Sequence, residues 1–446
     1  MPDEHVPLVS EGDQLPESSE LAASKSSGGT RVRRDARESR VLVFEPFRGG
    51  HHPEYIRAIV EGWRRASIPG TLTVACPSTT VTQTSIELTA TGSSSQIEHL
   101  DLPDLEPWPL VGRFAADRRH ARSLEWAIRQ VHPHDVVVMY LDRLLWPIAT
   151  GLRLPNGTRL HGIYFRPSVH YDRLRSSQPS AREHARARVR HALFLAALRN
   201  PSMSTVFSLD PTFVDWVGSR RRTAILPCPD VLNESTTPAE TRARRRRWNI
   251  APERSTALFF GFLAYRKGVG SVCEALRLLE QDEQRRLAVV FCGRAVPEDG
   301  DRIHEALDRV ARETSVQIVV DEQDLHFTQV QSAFEATDVA LVPYLRHIGS
   351  SAVLLRAAAA RKPVIASDFG LVGHYVATHR LGQAIDSRDP RKVAGALSEW
   401  LKGGDLGFDA VRAAELGRVH GARLMADTIL SRVVDGRVSQ VEKEAA

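Results

Sequence analysis

The segment Ala336 to Gly373, ATDVALVPYLRHIGSSAVLLRAAAARKPVIASDFGLVG, constrains the fold more than any other part of the chain. Val339 to Val342 is an apolar run of strand length, and Gly349-Ser350-Ser351 supplies a turn and a helix N-cap. Ala352 to Ala360 is built from strong helix formers, and Pro363 to Ala366 opens a second buried strand. Strand, turn, helix and strand in that order make a βαβ unit. Its helix begins where unpaired N–H groups and the positive end of the helix dipole face an anion, which is the local chemistry of a phosphate site.

The rest of the chain repeats this rhythm. From Arg40 onward the strand-like runs are RVLVFEP, TLTVACP, IEHL, DVVVMYL, RLHGIYF, STVFSL and TAILP, with helices over Glu54 to Arg65, Ala115 to Val131 and, rich in arginine, near Ala181 to Leu198. A polar, charged stretch follows, and then STALFFGFL, LAVVFCG, VQIVV, DVALVP, PVIAS and GQAI, again with helices between. Such alternation implies parallel sheets covered by helices. A chain of 446 residues is long for one domain and sufficient for two cores. The expected class is α/β: two doubly wound Rossmann-like domains facing a cleft, with ligand at the carboxyl ends of the strands. The expected divisions are a disordered tail over 1–38, an N-terminal domain over 39–229 and a linker over 230–253. A C-terminal domain over 254–405 and a helix crossing back with a tail over 406–446 complete them.

Composition narrows the class. The 42% hydrophobic and 25% charged content is that of a globular protein, and the longest apolar runs, such as Leu287 to Cys292, are far too short to cross a bilayer. The N-terminus, MPDEHVPLVSEGDQLPESS, is acidic and polar, unlike a signal peptide. Cys76, Cys228, Cys273 and Cys292 are scattered without metal or disulfide spacing, which fits a cytoplasmic protein. The net charge is +5, with arginines clustered at Arg182, Arg186, Arg188 and Arg190 and again over Arg242 to Arg247. These clusters read either as solvated charges or as a peripheral contact with the inner face of an anionic membrane. Nucleic acid is not an expected partner, because no aromatic-interleaved basic motif or zinc-finger spacing accompanies them. A P-loop and a complete dinucleotide fingerprint are absent from the sequence. Asp299-Gly300-Asp301 precedes a helical stretch and reads as a cap rather than a metal site, so neither a metal nor a cofactor is expected.

Two segments resemble the retaining GT-B glycosyltransferases of the group 1, or family 4, type. RKPVIASD, ending at Asp368, matches the close of that family's E-x-F-G, E-A-M-A-x-G-x-P-V-I-A-S-D signature, and FFGFLAYRKGVGSVCEAL, Phe259 to Leu276, is similar to its G-R-L, R-K-G segment. Ile348 and Arg356 stand where the family carries two glutamates, and Phe262 stands where an arginine often follows the first glycine. The resemblance implies a hexosyltransferase-type enzyme that retains anomeric configuration without a metal. Its co-substrate would be a nucleotide-sugar, and its acceptor a glycan, a lipid-linked molecule or a small molecule. On the donor side it points to Gly261, Arg266 and Lys267, and to Gly349, Ser350 and Ser351.

The residue types agree with that assignment. Arg266 and Lys267 precede a helix start, where the dipole disfavours cations unless an anion is bound. Arg356 would either add charge to the donor site, even selecting a sugar with a carboxylate, or pair with an acid. In FRGGHHPEYI, Gly49 and Gly50 let backbone approach the donor phosphates, while His51, His52 and Glu54 are acceptor-binding candidates. Asp142 ends DVVVMYL, and Arg166 and His170 follow RLHGIYF, so all three fall at strand ends. Asp142 and His170 are proton-handling candidates and Arg166 an orienting group, since arginine cannot act as a base. Two other readings stay open: a non-catalytic GT-B-like protein that binds nucleotide, glycan or a partner, and a nucleotide-sugar epimerase.

Overall fold

The structure, a computed structural model, describes residues 38–47, 52–84, 90–91, 95–102, 113–218, 222–232, 236–323, 325 and 327–435. The expected tail, Gly49, Gly50 and His51 lie outside the described residues.

The N-terminal half holds β1 (Ser39–Phe44), β2 (Gly70–Cys76), β3 (Ala90–Thr91), β4 (Ser95–Asp101), β5 (Asp135–Val138), β6 (Arg159–Tyr164), β7 (Met203–Ser208) and β8 (Ala224–Pro227). They form one sheet in the order β3-β4-β2-β1-β5-β6-β7-β8, parallel throughout except for the two-residue β3. The C-terminal half holds β9 (Ser255–Phe260), β10 (Leu287–Cys292), β11 (Gln317–Asp321), β12 (Val339–Val342), β13 (Val364–Ser367) and β14 (Gly382–Ile385). Their order is β11-β10-β9-β12-β13-β14, all parallel. β1, β5, β10, β12 and β13 are buried almost from end to end, as strands covered by helices on both faces must be. Among its parallel strands each sheet reverses its order once, between β1 and β5 and between β9 and β12. Ligand crevices in doubly wound folds open at such points, beyond the carboxyl ends of the strands.

The core changes hands within two residues. Val231 packs into the N-terminal core and Leu232 into the C-terminal one. The stretch expected as a linker then forms a helix, Pro238–Arg247, started by Thr237 and Glu240 in a reciprocal capping box with Pro238 in the first turn. Its arginines are in part structural: Arg244 is buried against Asp321, and Arg245 donates to the Ala336 carbonyl at 3.3 Å. The last described helix, Ala422–Asp435, returns to the N-terminal half, where Met425, Ala426, Ile429, Leu430 and Val433 join the core beside helix His52–Arg65. Gly62 makes that crossing close, since a Cβ there would lie 2.7 Å from the Ala426 Cβ.

Candidate functional site

The site grows from the turns that follow β9 and β12. Gly261 leaves β9 with a φ of +90°, a conformation that favours glycine, and a Cβ there would stand 2.6 Å from Lys267 Nζ. The chain then enters a short 3₁₀ turn, Tyr265–Lys267, whose first N–H is bonded by Asp299 at 2.9 Å. Asp299 thus tethers the cationic turn instead of capping its own helix by a side-chain bond. Gly268, at φ +88°, lets that turn lie against the loop after β12: a Cβ would meet the Pro343 oxygen at 2.0 Å, and Leu345 donates its N–H to the Arg266 carbonyl at 2.9 Å. The two phosphate-binding candidates of the sequence are therefore welded together by backbone.

Lys267 Nζ stands 5.6 Å from the centre of the Tyr344 ring, and that ring meets His347 edge to face at 5.1 Å. Burial, and then the neighbouring Arg266, lower the Lys267 pKa to about 8. His347 is held down to about 4 by burial first, with Arg166, Lys267 and Arg266 adding repulsion, so its imidazole is neutral at pH 7. Its Nε2–H donates to the Ser350 carbonyl at 3.0 Å. Neither Arg266 nor Lys267 has a carboxylate partner among the described residues. Cations without a carboxylate partner among the described residues, set beside a helix start, have the chemistry that suits an anion.

At that helix start the Gly349-Ser350-Ser351 turn divides its groups between fold and ligand. Gly349, at φ +102°, donates its N–H to the Tyr171 hydroxyl at 2.9 Å, and a Cβ there would lie 2.4 Å from the Phe165 oxygen. The Ser350 hydroxyl donates to Asp230 at 3.0 Å, while Ser351 Oγ accepts the Leu354 N–H at 3.2 Å as the cap of helix Ala352–Ala359. Both hydroxyls thus serve the fold. The backbone N–H groups of Ser350 and Ser351 have no acceptor among the described residues.

Arg356 is buried in that helix and reaches across the cleft to Glu54 at 2.9 Å, so a donor candidate and an acceptor candidate from the sequence are partners of each other. Burial raises the Glu54 pKa and Arg356 opposes the rise. Tyr55 donates its hydroxyl to Asp230 from within the N-terminal half and so steadies the acceptor of the Ser350 bond, while two further contacts join the halves: Arg346 donates to Glu183 with Nε to Oε1 at 2.8 Å, and Ser177 donates its N–H to the Asp368 carbonyl at 2.8 Å.

On the N-terminal side, Asp142 is sealed rather than open. Its carboxylate accepts the N–H groups of Phe165 at 2.8 Å and Arg166 at 3.1 Å, and burial raises its pKa against those bonds. It anchors the loop that carries Arg166, whose side chain is exposed within electrostatic reach of His347. His170 is buried among Tyr171, Phe213 and Trp216, with Nε2 at 3.0 Å from Thr212 Oγ1 and 3.3 Å from Asp210. His52 holds Glu45 through Nδ1 at 2.7 Å. The structure therefore gathers Gly261, Arg266, Lys267, the Gly349 turn and Arg166 in one place, and gives Asp142, His170, His52, Glu54 and Arg356 partners within the protein. His347, Tyr344 and Tyr171 belong to the site and escaped sequence reading; the histidine two residues before the glycine turn was the available signal. No His, Cys, Asp and Glu grouping suited to a metal occurs among the described residues.

This architecture is the two-domain GT-B fold, with cationic turns of the C-terminal half facing the N-terminal half. Residues 254–403 match the family model for glycosyl transferases group 1, which places that family's pattern in the C-terminal half. Among solved structures, the chain is similar to sucrose-phosphate synthase from Thermosynechococcus elongatus, at 18% identity and a TM-score of 0.55, covering 91% of this chain and 99% of that one. It is also similar to the N-terminal domain of trehalose-6-phosphate phosphatase from Candida albicans, at 10% identity and a TM-score of 0.63, covering 89% and 96%. A third is a UDP-forming α,α-trehalose-phosphate synthase from Burkholderia xenovorans in complex with glucose-6-phosphate, at 13% identity and a TM-score of 0.59, covering 88% and 100%. At these identities the likeness is one of fold. No curated protein matches the chain. Among the described residues no helix is long and apolar enough to cross a membrane.

Proposed function

We propose that this chain transfers a hexosyl group from a nucleotide-sugar to an acceptor hydroxyl, with the C-terminal half holding the donor diphosphate and the N-terminal half the acceptor. The observation that carries the reading is the pair Arg266 and Lys267, without a carboxylate partner among the described residues and set beside the backbone N–H groups of Ser350 and Ser351. As the glycosidic bond breaks, its electron pair passes to the diphosphate oxygen, and fixed cations and N–H dipoles stabilise that growing charge. Lys267 contributes most when an anion is present, because the anion repays the burial that depresses its pKa. The match of residues 254–403 to group 1 glycosyl transferases supports transfer as the chemistry.

Retention without a metal fits the groups on hand. In that scheme the acceptor attacks from the face the diphosphate leaves, and a phosphate oxygen takes its proton. It asks little of a protein base, and Asp142 and His170 are both engaged elsewhere. The site is a cytoplasmic one in this reading, with exposed Arg182, Arg186 and Arg188 available to an anionic membrane. A second reading, binding of nucleotide or glycan without transfer, has the Arg356–Glu54 pair in its favour, since it places an internal ion pair where the family carries a ribose-binding glutamate.

Thermal unfolding against UDP, GDP, ADP and their sugar conjugates tests the proposal. A ligand at about a hundredfold its Kd stabilises by about 2.7 kcal/mol. One nucleotide should raise the melting temperature of the wild type and not of Lys267→Ala, and its sugar conjugate should then be consumed with an acceptor. Binding without turnover across an acceptor panel favours the second reading, and no binding refutes both.

A further inference from the structure

We propose that Asp230 is a positioning residue for donor binding, holding the Gly349-Ser350-Ser351 turn from the end of the N-terminal half; this rests on the transfer reading and deepens it. Asp230 is buried one residue before the core changes hands between Val231 and Leu232. Its side chain ties three stretches of the chain together. Oδ1 accepts the Tyr55 hydroxyl, from helix His52–Arg65, and the Val231 N–H at 2.9 Å, while Oδ2 accepts the Ser350 hydroxyl at 3.0 Å. The backbone is clamped as well. Its N–H donates to His420 Nδ1 at 2.9 Å, and its carbonyl accepts the Gly421 N–H at 2.9 Å, just before helix Ala422–Asp435 begins. Asp230 is thus fixed by an N-terminal helix and by the returning end of the chain, and it presents one carboxylate oxygen to the donor turn.

A buried carboxylate beside a diphosphate site calls for a reason. As a bare charge Asp230 would repel the ligand, the more strongly for lying out of water. Three donors on its oxygens offset the cost of burying it, and one of the three is the turn itself. Among the described residues the Ser350 hydroxyl reaches no other acceptor. Its neighbours have partners of their own: the Gly349 N–H bonds Tyr171, and Ser351 Oγ accepts the Leu354 N–H. Gly349 sits at φ +102°, and a glycine leaves the peptide groups after it free to rotate unless something holds them. The bond from Ser350 to Asp230 is that hold. It sets the direction of the Ser350 and Ser351 N–H groups before an anion arrives, and dipoles arranged in advance need no reorganisation as charge grows on the leaving diphosphate.

Isothermal titration with inorganic pyrophosphate at pH 7 tests the role, because the two views of Asp230 predict opposite signs. If it acts only as a charge, Asp230→Ala tightens pyrophosphate binding; as a positioning residue, the same change weakens it about tenfold. Asp230→Asn should stay within about threefold of the wild type, since its amide can still bond Ser350 Oγ while its oxygen serves Tyr55 and Val231. Ser350→Ala should lose as much as Asp230→Ala, and the double variant should be no weaker than the weaker single one, because both changes remove one bond. Thr337→Ala serves as the stability control. It deletes a buried hydroxyl that bonds the Ala333 and Phe334 carbonyls just before β12, so its melting temperature should fall with pyrophosphate affinity unchanged. A melting curve verifies folding of each variant, and if Asp230→Ala does not fold, Ser350→Ala, at a half-buried position, carries the test alone. Binding by Asp230→Ala or Ser350→Ala at least as tight as by the wild type overturns the proposal and leaves the transfer reading standing. Losses that multiply in the double variant, or an equal loss in Thr337→Ala, do the same. Failure of the wild type to bind pyrophosphate overturns the transfer reading and this proposal together.

Discussion

If Lys267 holds the donor diphosphate as proposed, binding depends on pH in a defined direction. Burial and Arg266 hold the Lys267 ammonium at about 8 in the free protein, against an ordinary 10.5. A bound diphosphate favours the charged form, so binding raises the pKa and, above pH 8, takes up a proton. If the anion restores an ordinary value, the coupling is on the order of 3 kcal/mol, or roughly a hundredfold in affinity. Nucleoside diphosphate affinity should then be highest near pH 7, above the second ionisation of the ligand's terminal phosphate, and fall up to about tenfold per pH unit between pH 8 and 10. No other site group complicates this window, because His347 titrates near 4 and arginine stays charged. The assay is isothermal titration at pH 7, 8 and 9 in buffers of different ionisation enthalpy, which counts protons directly. Uptake should approach one proton at pH 9 and vanish in Lys267→Arg, whose charge is permanent. Affinity and proton uptake that stay level from pH 7 to 9.5 in the wild type would refute the reasoning.

Other substitutions test the contacts that join the halves. Glu54→Ala strips a carboxylate from buried Arg356 and should cost about 3 kcal/mol in chemical denaturation, whereas replacing both residues by methionine should recover most of it. Gly349→Ala places a Cβ 2.4 Å from the Phe165 oxygen at a φ of +102°, and a loss of about 3 kcal/mol or more, with weakened nucleotide binding, is expected in melts and titrations. The Arg346 hydrogen bonds hold the Glu183 pKa down to about 2, below its ordinary 4.5. Because the folded value is the lower one, that stabilisation is complete above about pH 4.5 and is lost as pH falls toward 2. Acid unfolding of Glu183→Gln should accordingly show a shallower pH dependence in that range.

The strands were legible because each is an apolar run bounded by turn residues, and thirteen of the fourteen fall where RVLVFEP through GQAI place them. β3 was not, since two residues carry no pattern. Helix Pro238–Arg247 hid in RARRRR, which offers no apolar stripe. Its trace was at the start, in Thr237, Pro238 and Glu240, where the cap stands. The cationic turn was legible by type and spacing, because a cation before a helix start needs an explanation. Its partners across the cleft were not. Gly349 and Tyr171 are 178 residues apart, Ser350 and Asp230 are 120, and Arg346 and Glu183 are 163. Pairs that distant leave no local periodicity, and the identity of Glu54 as the mate of Arg356 depends wholly on how the two sheets face each other.

Helix Ala422–Asp435 completes the core of the first half with residues from the end of the chain. During synthesis, Trp63 and its neighbours on helix His52–Arg65 must wait for roughly 360 further residues before their covering arrives, which at 5–20 residues per second is on the order of 20 to 70 s. For that interval the nascent N-terminal half presents an apolar face, a natural client for a ribosome-associated chaperone. A chain stopped short of Ala422 would keep that face exposed permanently, so premature termination late in the gene should yield an aggregating product even though both sheets are fully encoded.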